Sequence, residues 1–328
     1  MKYDLEISNS IEHKILSNAE IFDFRGMPND DLYEGLYNFC RENLEINSAR
    51  ENIFPNIFLF TNSYSINAKA GLRNGQFVIL VNIGLMQSCI TNYFENTRLN
   101  EFVSANFPDY IQKFDNPIGI LAFQLVTNFT YYHELAHLFQ FTKTNNESEL
   151  QERTANAGFD LLKHKLEINA DTYSSIAIAT HLQQYIDKTF GDEVTLEIAN
   201  DTIRILGACL LNYIINFSDN TKIYFKEHSH PHPFLRLMNI VLNLATHIEN
   251  MPNLKNKNIN LDGRNLFNSI IDFYQILEDN GIFATKFSDL VYQNTYLKDD
   301  IFIYLSELIK FDDTDFQDAM LIWNKHVI

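Results

Sequence analysis

The chain is poor in cysteine, has no concentration of basic residues, and has no unbroken apolar run long enough to span a bilayer. Each shortage removes a class of function. Its three cysteines, Cys40, Cys89 and Cys209, stand far apart with no CxxC pair. Neither a disulfide framework nor a cysteine-built zinc site fits that spacing, and buried thiols in a reducing compartment are the expectation. The net charge is -17, with no Lys/Arg cluster. Such a surface repels phosphate backbones and anionic headgroups, so no nucleic acid and no membrane is expected among the partners. The most apolar stretches, Ile118 to Phe141 and Ile205 to Phe217, are broken by polar residues or too short. A bilayer span needs ~20 apolar residues. The first residues, MKYDLEISNSIEHKIL, carry acids early and lack the apolar core of a signal sequence. A cytoplasmic location is therefore expected. There is no GxSxG, no P-loop and no cysteine-nucleophile motif, which leaves covalent catalysis without a candidate.

What is present is a chain of 328 residues, 46% apolar, with 27 Phe and 16 Tyr, enough to bury a substantial core. Residues 1–50 read as a helical extension around a turn at Gly26 to Asp30. Residues 51–249 read as a catalytic domain, beginning with β-type runs at Ile57 to Phe60 and from Gln76. The second run follows the turn signal Arg73-Asn74-Gly75. Long helices are predicted over Ile118 to Phe141, Lys165 to Ile186 and Glu193 to Phe217, with Pro117 opening the first. Ser148 to Lys163 is rich in helix formers, whereas His228 to Pro233 cannot be regular helix because of Pro231 and Pro233. The polar stretch Asn250 to Asn260 reads as a linker before a C-terminal helical region, 250–328. The fold class expected is α+β: mostly α, zincin-like, with a small β-sheet and extra C-terminal helices.

His133-Glu134-Leu135-Ala136-His137 is an HExxH string within a predicted helix. Residues four apart on a helix differ by about 40° in direction, so both imidazoles can reach one zinc ion. Glu134 lies beside that face, placed to act on water as a general base rather than as a ligand. The string arises by chance in roughly one chain in fifty of this length, so a third ligand has to be found. Glu167-Ile168-Asn169-Ala170-Asp171 supplies it. Glu167 can complete a His2Glu set with one position left open. Asp171, on the same face, can accept the second ring N–H of a bound histidine. Two carboxylates on a helix commonly make a solvated face, but Ala170, Ile176, Ala177 and Ile178 direct this helix into a core.

A third piece is Ser229-His230-Pro231, with Arg236 six residues after His230. A group on this proline-stiffened loop can stabilise the oxyanion of a tetrahedral intermediate. His230 is the candidate donor, with His228 and His232 competing for the role. One zinc ion per chain is the expected cofactor, though His2Glu ligation suits other divalent metals as well.

HELAH, EINAD and SHP with Arg236, in this order, resemble the gluzincin metallopeptidases, closest to the phage-exclusion Lit peptidases and the CAAX-protease-like group. The resemblance runs from about Asn67 to Arg236, and the Asn260 to Gly263 step is also Lit-like. It implies a zinc-dependent endopeptidase, Asp171 and Arg236 standing behind the ligands, and an anti-phage role in which an intracellular protein such as a translation factor is cleaved. It also implies that Gln76, Phe77, Val78, Ile79, Leu80 and Val81 form the edge strand that pairs with substrate. The gap between His137 and Glu167 is longer than the Lit pattern, and residues 1–50 match no known segment. Two other readings accompany this one: a zinc-binding recognition protein without proteolysis, and an amidohydrolase acting on a non-peptide substrate.

Overall fold

Asn74 and Gly75, at φ 46° and 74°, make the two-residue turn that their sequence announces, and Arg73 faces Gln76 across it. Positive φ at both central positions gives the turn a twist that matches its strands. The computed structural model describes residues 2–142, 149–151, 159–217, 222–284 and 286–310. Within them the fold is α+β, mostly helical with one small sheet.

The chain begins with α1 (Lys2–Glu12) and α2 (Asp30–Glu51), then enters the sheet through β1 (Asn56–Thr61), β2 (Ala68–Arg73) and β3 (Gln76–Asn82). Three helices, α3 (Ile83–Cys89), α4 (Thr97–Asn106) and α5 (Pro108–Ile111), lead to α6 (Ile118–Phe141). The short strand β4 (Glu149–Gln151) precedes α7 (Leu161–Phe190) and α8 (Leu196–Ile215). The remainder is α9 (Pro233–Glu249), α10 (Pro252–Asn256), α11 (Gly263–Asp279), α12 (Phe287–Asn294) and α13 (Lys298–Lys310).

The strand order is β1-β3-β2-β4, with β1 parallel to β3 and the other pairs antiparallel. This overturns the edge-strand assignment of Gln76, Phe77, Val78, Ile79, Leu80 and Val81. Every residue of β3 is buried, and its backbone is paired with β1 on one side and β2 on the other. No hydrogen-bonding edge is left there for a substrate strand. The parallel neighbour β1 joins from across the sheet, so no local turn announces it.

One cluster of buried apolar side chains runs from Tyr3 to Leu308 and draws on all three predicted segments. At the N-terminal side, Glu6 pairs with Arg41 Nε at 3.0 Å and accepts from the Phe58 N–H at 3.3 Å, tying α1 to α2 and β1. All three cysteines are buried as thiols.

The helix α6 is apolar nearly all round and buried along its length, as a helix through the middle of a core must be. It packs against β2, α7 and α8. Among the described helices, α8 is the one with the length and apolar content to cross a bilayer, and most of it is buried inside the protein. Asp160 caps α7, accepting from the Leu162 and Lys163 N–H groups at 3.0 and 3.3 Å.

Two other expectations are corrected. Asn250 to Asn260 is not a linker: it holds α10, and Met251, Leu254 and Ile259 are buried. The Asp262-Gly263 step that follows starts α11, with Asp262 accepting from the Asn265 N–H at 2.7 Å. Gly263 packs close to α9: a Cβ there would stand 2.8 Å from Glu249 Oε2 and 3.4 Å from Ala245 O. Half of the helix predicted over Ser148 to Lys163 lies outside the described residues, and its described part holds β4 and the start of α7. Phe234 to Ile248 is one continuous helix, opened by Pro233 in the first turn, where its missing N–H costs nothing.

Candidate metal centre

Two helices build the site. On α6, His133 and His137 lie one turn apart and face α7, where Glu167 and Asp171 repeat the same spacing. His133 Nε2 and His137 Nε2 are 3.1 Å apart, and each lies 3.4 Å from an oxygen of Glu167. The two 3.4 Å separations run to different carboxylate oxygens, Oε2 for His133 and Oε1 for His137, and one donor atom from each residue lies within 4.8 Å of the others, close enough for the three to share an ion. The three residues form a group that could hold a metal ion, and all are buried, at 0%, 1% and 0% exposure.

The ring orientations are fixed from behind. His133 Nδ1 stands 3.1 Å from Asp171 Oδ1. Arg236 donates to the same carboxylate through Nε at 2.9 Å and Nη2 at 2.8 Å. His137 Nδ1 lies 2.8 Å from Gln140 Oε1. The Gln140 amide nitrogen donates to Leu166 O at 3.1 Å and to Asn169 Oδ1 at 3.3 Å. With its nitrogen so placed, Gln140 presents oxygen to His137, and Nδ1 must carry the proton. With Nδ1 of each histidine committed to its partner, Nε2 is the ring atom left to bind a metal.

The charges agree with this arrangement. Burial alone would raise the Glu167 carboxyl, but the imidazoles of His230, His137 and His133 outweigh it and hold the group well below the usual carboxylate range. Asp171 is likewise lowered: burial opposes, and the Arg236 guanidinium and His133 prevail. Burial would depress His133, yet the Asp171 and Glu167 carboxylates push it up to about 10. Glu134 is fully buried next to His133 in sequence.

The loop before α9 brings one of its three histidines to the cluster. His230 Nε2 is 3.4 Å from Glu167 Oε1, its Nδ1 is 2.9 Å from Ser229 Oγ, and its side chain is 12% exposed. His232 is buried and caps α9, accepting from the Phe234 N–H at 3.0 Å. His228 is exposed, with its ring against Tyr224. Its carbonyl accepts from His164 Nε2 at 2.8 Å, and His164 Nδ1 meets the Tyr304 hydroxyl of α13. Burial lowers His164, keeping it neutral, so Nε2–H is the donor and Tyr304 donates to Nδ1.

Two residues of this arrangement, Gln140 and His164, escape sequence reasoning. Gln140 follows His137 by three positions on the same helix face, a spacing that could have drawn attention to it. A cavity of about 860 Å³ lies elsewhere on α7, bounded by Asn169, Thr172, Asn243 and Phe267, and it touches the site only through Asn169. Comparison with protein-family models, curated proteins and solved structures found no match for the chain.

Proposed function

We propose that the chain is a zincin-like, zinc-dependent endopeptidase of the gluzincin type, acting in the cytoplasm on a protein or peptide substrate. The observation that carries this reading is the buried group of His133, His137 and Glu167, with one donor atom from each within 4.8 Å of the others and Glu134 buried beside them. These three residues would hold the metal; when bound, zinc acidifies water and polarises a carbonyl oxygen.

The remaining chemistry belongs to the side chains. Glu134 takes the proton of the attacking water and delivers it to the leaving amine. His230, with Ser229 Oγ 2.9 Å from its Nδ1, donates through Nε2–H to the oxygen that gains charge. Asp171, held by Arg236, keeps the His133 ring in one orientation.

The anti-phage role, with an intracellular protein such as a translation factor as substrate, rests on the order of HELAH, EINAD and SHP. A regulated enzyme is supported by burial: His133, Glu134, His137 and Glu167 are at most 1% exposed. The same closure favours the second reading, a metal-binding recognition protein without proteolysis.

The experiment compares new protein N-termini in bacterial cells expressing the wild type or Glu134→Gln. Termini found only with the wild type establish endopeptidase activity and name the substrate. Identical profiles from zinc-loaded proteins, with and without phage infection, favour the recognition protein.

A further inference from the structure

We infer that Gln140 is the positioning residue for the metal ligand His137, and that it also sets the separation of the two helices that carry the ligands. The inference rests on the metal-holding part of the proposed function and not on proteolysis.

The two histidines are oriented by unlike groups. His133 has a carboxylate behind it, Asp171, whose charge is balanced by Arg236. His137 has a neutral amide, Gln140, 2.8 Å from Nδ1. The side chain of Gln140 is buried in the last turn of α6 and performs two tasks at once. Its oxygen fixes the Nδ1–H form of His137, which leaves Nε2 free to bind metal. Its nitrogen donates to Leu166 O, the carbonyl immediately before Glu167, and to Asn169 Oδ1. One side chain thus ties the second histidine to the backbone that presents the carboxylate ligand.

An amide suits this position and a carboxylate does not. The site already buries Glu134, Glu167 and Asp171. A fourth anion would add to that charge and would face two acceptors, Leu166 O and Asn169 Oδ1, with no proton to offer either. The amide satisfies a donor and two acceptors without adding charge.

The test measures zinc affinity of the full chain by competition with a chelator, for the wild type, Gln140→Leu and Gln140→Asn. The leucine variant removes both sets of contacts while filling similar space. The asparagine variant keeps the amide but falls one methylene short of His137, so it serves if leucine fails to fold. Both variants should bind zinc about 10–100-fold more weakly. They should also show a smaller rise in Tm on adding zinc and an altered visible spectrum with cobalt(II). A merely structural role would lower the Tm of the metal-free and zinc-loaded forms alike and leave the cobalt spectrum unchanged. Affinities within threefold of a tightly binding wild type overturn the inference alone. A wild type that binds no zinc overturns the metal reading beneath it.

Discussion

Arg236 grips Asp171 with two parallel hydrogen bonds, 2.9 Å from Nε and 2.8 Å from Nη2, and both side chains are buried. The pair joins α9 to α7 directly behind His133. Breaking a buried pair from one side leaves an uncompensated charge and costs about 3–5 kcal/mol. Arg236→Met should therefore destabilise the protein by about that amount in denaturant unfolding, and Arg236→Met combined with Asp171→Asn by less. Additive losses in the double variant would show that the two residues act independently.

Zinc binding should depend steeply on pH. In the metal-free protein the Asp171 and Glu167 carboxylates, acting against burial, push His133 up from 6.5 to about 10. A raised imidazole stabilises the metal-free fold fully below pH 6.5, and that contribution is lost as pH rises through about 10. Zinc needs the neutral ring, so its apparent affinity should climb roughly tenfold per pH unit across this window. Calorimetry in buffers of different ionisation heat should find a proton released at pH 7.5. No proton release would contradict the charge assigned to His133.

A second pH effect lies far from the metal. Burial, outweighing Arg41 and the Phe58 N–H, pushes Glu6 up from 4.5 to about 7. The fold prefers the protonated acid, so stability is greatest below pH 4.5 and declines as pH rises to about 7. The loss amounts to roughly 3 kcal/mol at one pKa unit per ~1.4 kcal/mol. Glu6→Gln should remove most of that slope in urea unfolding between pH 5 and pH 8. Parallel slopes for the two proteins would show that Glu6 is not its source.

The chain from Tyr304 through His164 to the His228 carbonyl links α13 to the loop that carries His230. Tyr304→Phe removes the donor to His164 Nδ1 and frees the ring to change tautomer. Zinc content should stay at the wild-type level while cleavage of the identified substrate slows about tenfold, the scale of a slightly misplaced group. Loss of zinc in this variant would mean that α13 supports the ligands themselves.

These residues differ in how far the sequence exposes them. His133 and His137, and likewise Glu167 and Asp171, share a helix face by spacing alone, so their convergence follows once both segments are helical. His230 could be narrowed only to a loop of three histidines, because its selection depends on how that loop lies over α7. Gln140 offers only its three-residue spacing from His137, and His164 gives no signal of its own: each is one polar residue on a buried helix face with partners on another element. β3 could be recognised as a strand from its β-branched run, but its place between β1 and β2 could not, since parallel pairing with β1 leaves no turn in the sequence. Asn250 to Asn260 is polar enough to resemble a linker, and its few apolar residues, Leu254 and Ile259 among them, are the ones that anchor it.

The most direct test of the metal centre is zinc content per chain, by elemental analysis of purified wild type, Glu134→Gln, His137→Ala and Glu167→Ala. One zinc in the wild type and in Glu134→Gln, with loss from the other two, is the outcome expected of a His2Glu site whose glutamate base is not a ligand. Full occupancy in Glu167→Ala, or loss from a correctly folded Glu134→Gln, would contradict it.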